Sequence, residues 1–148
     1  MISKSTSAAT RAGAQVRRRV EHCDIDAFGV VHFSRYAAFM ETAVLAALEA
    51  TGHGLDHVQS LGLELRVRQL KITYRAAARY NDQLILVSEV GLAGAAHLQM
   101  LARVLREEPD SEPSLLASGE LDLVFVTTST GDPGLLPASL TDLTGGRH

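Results

Sequence analysis

From Phe33 onward, apolar residues recur at intervals of three and four: Phe33, Tyr36, Ala37, Met40, Val44, Ala47 and Leu48. That spacing lines one face of an α-helix, and the Ala, Leu, Met and Glu between them favour it. Gly52 stands where such a helix would stop. No other stretch carries so long a helical period, and the residues beyond it mostly alternate. A chain of this pattern must cover a single long helix with strands.

The flanking segments read as those strands. Val16, Arg18, Val20 and His22 alternate with Arg17, Arg19, Glu21 and Cys23, a polar pattern suited to an exposed, edge-like strand. Leu63, Leu65 and Val67 share one parity and Leu70, Ile72 and Tyr74 the other, which predicts a bulge at Arg68 and Gln69. Residues 84–90, 97–107 and 115–128 supply three more strands. A turn at Tyr80-Asn81-Asp82 separates the first of these from the bulged strand, and a turn from Gly91 to Gly94 comes after it. The leucines at 98, 101 and 105 would also suit a helix, but the short turn before them favours a hairpin. His53 and His57 fall in what reads as a solvated loop. Strands segregated from one helix imply an α+β fold, an antiparallel sheet with one face covered. So thin a layer leaves an edge that invites pairing, and a homodimer or homotetramer is expected.

At 148 residues the chain suits one domain. We expect a disordered tail at 1–14, a folded part at 15–128 and an irregular tail at 129–148. A net charge of −3 disfavours nucleic acid and anionic membrane surfaces as partners. No stretch approaches the roughly 18 apolar residues of a membrane span, and the N-terminus lacks the apolar run of a signal peptide. Cys23, the only cysteine, excludes an internal disulfide and fits a reducing compartment, so a soluble cytoplasmic protein is expected.

The chemistry concentrates in HCDIDAFGVVHFSRY, residues 22–36. Asp26 follows a strand and precedes the helix, with Gly29 able to take the angles of a tight turn. Phe33 falls near the first helical turn, where backbone N–H groups lack intrahelical partners. Such donors suit an oxygen that gains negative charge, and Asp26 could serve as base or nucleophile beside them. A carboxylate before a helix is equally a cap or turn residue, and periodicity does not decide between the two. His22, Cys23, Asp24 and Asp26 include metal-ligating types, but no distant Cys or His completes a set, so no metal is expected. The chemistry calls for no cofactor.

The stretch DIDAFGVVHFSRYAAFME, residues 24–41, resembles the signature of hotdog-fold acyl-CoA thioesterases of the 4-hydroxybenzoyl-CoA thioesterase and YbgC type. The matching residues are Asp24, Asp26, Gly29, Val31, His32, Phe33, Tyr36, Phe39 and Glu41. ITYRAAARYNDQLIL, residues 72–86, resembles the family's second stretch, with Ala76 or Ala77 in place of its Pro and Asn81 in place of its Gly. The resemblance implies a hotdog fold, a long helix wrapped by an antiparallel sheet, and hydrolysis of an acyl thioester carried on coenzyme A or a carrier protein. It places Asp26 at the catalytic position and the Phe33 backbone N–H as the donor that polarises the thioester carbonyl. Gly29, Val31, His32 and Tyr36 would line the substrate site, and the acyl group would enter between two subunits.

A related branch serves enediyne polyketide pathways with Asn at the catalytic position and Arg on the helix. Asp26 and Val44 stand at those places here, although a polyketide or fatty acyl chain remains a conceivable substrate. The hairpin 91–96 lacks the basic residues with which relatives often hold coenzyme A. Arg66, Arg68, Lys71, Arg75 and Arg79 form a basic set that could meet phosphopantetheine or an acidic carrier, or be solvated strand faces. Ala37, Ala38, Ala43, Ala46 and Ala47 would leave room for an elongated acyl tail. Two rival readings stay open: a hotdog dehydratase or hydratase using Asp26 with His32, and a non-hydrolytic module for acyl binding or polyketide cyclisation.

Overall fold

The computed structural model describes residues 14–137 and 140. Strand β1 (Ala14–Arg19) leads through a 3-10 turn (His22–Asp24) to helix α1 (Arg35–Ala50) and a short helix α2 (Leu55–Ser60). Strands β2 (Leu63–Tyr74), β3 (Gln83–Ala93), β4 (His97–Arg106) and β5 (Ser114–Thr127) complete the order. The five strands form one sheet in the order β1-β3-β4-β5-β2, with every neighbouring pair antiparallel. β1 and β2 are its edges, so α1 connects one margin of the sheet to the other.

Alternation puts one side of each strand against the helix. Leu84 and Leu86 of β3, Leu98, Met100 and Val104 of β4, and Leu121, Leu123 and Phe125 of β5 are buried there. They meet Tyr36, Phe39, Met40, Ala43, Val44, Ala47 and Leu48 of α1. Each fully buried Leu, Val, Met or Phe side chain among them contributes on the order of 1.5–3 kcal/mol relative to exposure. Two of the small helix residues, Ala43 and Ala47, are core packing. Gly119 keeps helix and sheet close, since a Cβ there would run into Met40 Sδ.

The bulge lies where the parity switch placed it: Val67 pairs with Leu123 and Gln69 with Asp122, leaving Arg68 as the extra residue. The switch keeps Leu63 and Leu65, then Leu70 and Ile72, opposite the helix-facing residues of β5.

Several expectations are corrected. The first strand stops at Arg19, and His22–Asp24 forms a 3-10 turn, because Asp24 folds back to accept the Glu21 N–H at 2.8 Å. Gly91 is not in a turn. β3 continues to Ala93 through a register shift between Val90 and Leu92, and the hairpin closes at Gly94, whose N–H donates to the His97 carbonyl at 2.7 Å. Residues 55–60 form α2, and His53 before it is buried, its Nδ1 3.0 Å from Thr51 Oγ1. His57 lies within α2. After β5 the chain is irregular yet packed: Gly134 donates to the Phe125 carbonyl and Leu136 to that of Ala95, each at 2.7 Å, and Leu136 and Leu140 are buried. The expected N-terminal tail falls, apart from Ala14, outside the described residues.

Candidate active site

The two aspartates of the motif lie two residues apart in opposite surroundings. Asp24 is fully buried. Arg18 Nη1 donates to its Oδ2 at 2.6 Å and Arg35 Nε to its Oδ1 at 2.9 Å, beside the Glu21 N–H. Burial is the strongest single influence on its pKa and acts upward, but the bonds from Arg18, Glu21 and Arg35 together hold it below the usual carboxylate range. Asp24 is thus a locked anion, with no oxygen open to a ligand.

Asp26 sits in a small hairpin loop closed by pairing of Ile25 with Val31. Its own N–H donates to the Val30 carbonyl at 2.9 Å, and the Gly29 N–H returns to the Asp26 carbonyl at 3.1 Å. Gly29 has φ +84°, the left-handed region that a tight loop requires and a side chain resists. The Asp26 carboxylate accepts the Phe28 N–H at 2.8 Å and the Val30 N–H at 3.3 Å, both on Oδ1. Among the described residues Oδ2 has no partner. One oxygen makes the turn, and the other is left open.

The chain then runs toward the helix. The Val31 N–H donates to the Ala78 carbonyl at 2.8 Å and the His32 N–H to that of Asp24 at 3.0 Å. His32 turns its ring onto Ser34: Nδ1 lies 2.8 Å from Ser34 Oγ and accepts the Ser34 N–H at 3.2 Å. A neutral ring so bonded carries its proton on Nε2. The same ring stacks on Phe33 at 4.5 Å, and it makes no hydrogen bond to Asp26. Arg35 and Tyr36 donate backward to His32 and Phe33. The Phe33 N–H alone in this approach donates to nothing among the described residues, and its side chain is exposed.

Tyr36, read from sequence as a substrate residue, is buried, and its hydroxyl accepts the Ala78 N–H at 3.0 Å. Burial, ahead of other influences, pushes its pKa up and keeps it a neutral phenol.

The second stretch, 72–86, frames the site. Arg79 pairs with Val30, the Tyr80 N–H reaches the Gly29 carbonyl at 3.2 Å, and Tyr74 Oη donates to the Phe33 carbonyl at 3.0 Å. Asn81, where glycine was expected, takes φ +74°, a conformation asparagine tolerates better than most residues. Of the basic set, Arg66 is paired with Glu64 at 2.9 Å. The partners that sequence reasoning missed are Arg18, Arg35 and Tyr74.

A five-stranded antiparallel sheet around one long helix is the hotdog architecture of thioesterases. The Thioesterase-like superfamily model matches residues 20–143, and the chain belongs to that family. It is 29% identical over 122 residues to the acyl-CoA thioester hydrolase YbgC of Escherichia coli O157:H7, covering 82% of this chain and 88% of the relative. Among solved structures, a probable thioesterase from Bartonella henselae superposes with TM-score 0.75 at 25% identity, over 85% of this chain and all (100%) of that one. A variant 4-hydroxybenzoyl CoA thioesterase complexed with 4-hydroxybenzoyl CoA has the same fold, with TM-score 0.79 at 17% identity, over 89% and 98% of the two chains.

Proposed function

We propose that this protein hydrolyses acyl thioesters, with Asp26 as the reacting carboxylate and the Phe33 N–H as the donor to the developing oxyanion. The observation that carries the reading is the division of labour at Asp26: Oδ1 holds the loop and Oδ2 is unpartnered among the described residues. As a base, Oδ2 takes a proton from water while the water oxygen adds to the thioester carbonyl carbon. As a nucleophile, Oδ2 adds to that carbon itself and gives an anhydride that water then opens. On either route the carbonyl oxygen becomes anionic near a backbone donor, the C–S bond breaks, and the thiolate leaves and takes up a proton.

Acyl-CoA is the proposed substrate class, following the YbgC relative. A carrier-protein thioester with a fatty or polyketide chain is the second arm of the substrate panel.

The working unit is proposed to be a homodimer or homotetramer. β2 has a free edge, and Val67, Leu70 and Tyr74 on its helix-ward face are 51%, 36% and 48% exposed. Beside them a cavity of about 150 Å³ is lined by Glu41, Val44, Leu45, Leu55, Leu65 and Val67, with Leu121 and Leu123. A second copy pairing along β2 would cover both.

Asp26→Asn tests the mechanism. Asparagine keeps an acceptor for Phe28 and Val30, so the variant should fold and assemble as the wild type does. Its kcat should fall at least about a hundredfold. Full activity in the folded variant sinks the assignment, and saturable acyl binding with no turnover on any thioester favours a binding module. Water addition to an enoyl thioester would indicate a hydratase instead.

A further inference from the structure

Tyr74 closes β2, and its hydroxyl donates to the Phe33 carbonyl at 3.0 Å across 41 residues of sequence. That carbonyl also accepts the Tyr36 N–H at 3.3 Å, so it is held from the helix and from the sheet. The Tyr74 ring stands edge-on to Tyr36 at 5.3 Å and 87°, and Tyr36 stands edge-on to Phe39 at 6.0 Å. An aromatic stack rooted in the core therefore sets the direction of the phenol. Ala78, Arg79 and Tyr80 of this stretch fix the Asp26 loop, at Val31, Val30 and Gly29 in turn, and the Ala78 N–H also holds the Tyr36 hydroxyl. Tyr74 is the contact from the sheet to the half of the site that contains the free N–H.

We propose that Tyr74 is a positioning residue: by anchoring the Phe33 carbonyl it fixes the backbone at the Phe33 Cα, and so the direction in which the adjoining His32–Phe33 peptide presents its N–H to the oxyanion. This rests on the thioesterase reading above. A misaimed donor weakens only the charged state, so the loss should fall on kcat and leave KM nearly unchanged.

The test is Tyr74→Phe, which keeps the ring, beside Tyr74→Leu, which removes it. In Tyr74→Phe, kcat should drop about three- to tenfold, the worth of one hydrogen bond. The Phe33 amide resonance of the substrate-free protein should move, while those of Phe28 and Val30 stay in place. Tyr74→Leu should be at least as impaired. If Tyr74→Phe matches wild type in kcat and in the Phe33 resonance, and only Tyr74→Leu is impaired, the ring is structural and the proposal is overturned. A wild type that hydrolyses no thioester overturns the functional reading instead. The Phe33 resonance then decides for Tyr74 alone: a shift supports positioning, and no shift overturns it.

Discussion

Arg18 holds Asp24 at two points, Nη1 2.6 Å from Oδ2 and Nη2 3.2 Å from Oδ1, with the carboxylate shielded from water. Arg35 reaches the same group from α1, and both guanidiniums lie over the Phe39 ring, at 4.7 and 5.8 Å. One anion joins β1, the 3-10 turn and the long helix. Asp24→Asn leaves two cations facing an amide and should destabilise the protein by about 3 kcal/mol. The midpoint of urea unfolding reads this directly, and a cost near zero would show that the anion does not join these elements.

The same anion makes acid the condition that loosens the fold. Its pKa is lower in the folded chain than in the unfolded one, where a carboxyl titrates at about 3.9. Its contribution is therefore complete above that value and is lost as pH falls through the lower, folded one. The stability gap between wild type and Asp24→Asn should hold steady from neutral pH to about 5 and shrink below about 4. Unfolding curves taken across that window check it.

A separate response is expected from His53. Burial first, and then the nearby His57, push its pKa down, against the pull of Thr51. Protonation thus favours the unfolded chain, where histidine titrates at about 6.5. Stability should decline as pH drops from there toward the folded value. Ring-proton NMR should show a midpoint under the ordinary value, and His53→Gln should flatten this part of the stability profile.

For Phe33 the proposed chemistry belongs to the backbone. Phe33→Ala retains the N–H and should keep kcat within about tenfold, whereas Phe33→Pro removes the donor and should cost about a hundredfold or more. Circular dichroism establishes that both are folded before rates are compared. Equal rates in the two variants would remove this N–H from the mechanism.

Gly119 offers a packing test. Alanine there meets the fully buried Met40 sulfur, which must shift to admit it, and should cost about 1–3 kcal/mol. Combined with Met40→Ala, the two losses should be less than additive, because the shortened side chain vacates the space that the new methyl needs.

The long helix and strands β3, β4 and β5 are legible because each buries one face, and burial writes its period into the sequence, while β2 carries the same alternation on a face left largely exposed. The bulge at Arg68 is legible as a break in that alternation. The N-terminal alternation misleads past Arg19: His22 and Asp24 continue a strand pattern, but a buried carboxylate needs the guanidiniums of Arg18 and Arg35, and such pairing leaves no local mark. Gly91 reads as a turn residue, and only the partner strand shows that it absorbs a bulge. His53, Leu136 and Leu140 are buried by contacts that depend on the assembled fold. Asp26, Gly29 and Phe33 stand out through motif spacing, whereas Tyr74 does not, since its contact with Phe33 depends on the whole sheet being in place.

The split between the two oxygens of Asp26 has a consequence for how such a protein can change over time. The loop needs an acceptor at that position but not a charge, and an amide oxygen would serve it equally well. On the proposed mechanism, a single exchange of oxygen for NH₂ on that side chain separates a hydrolase from a silent receptor of the same shape. The two loop bonds do not distinguish the carboxylate from the amide, so on that mechanism the demand for turnover is what holds the carboxylate in place.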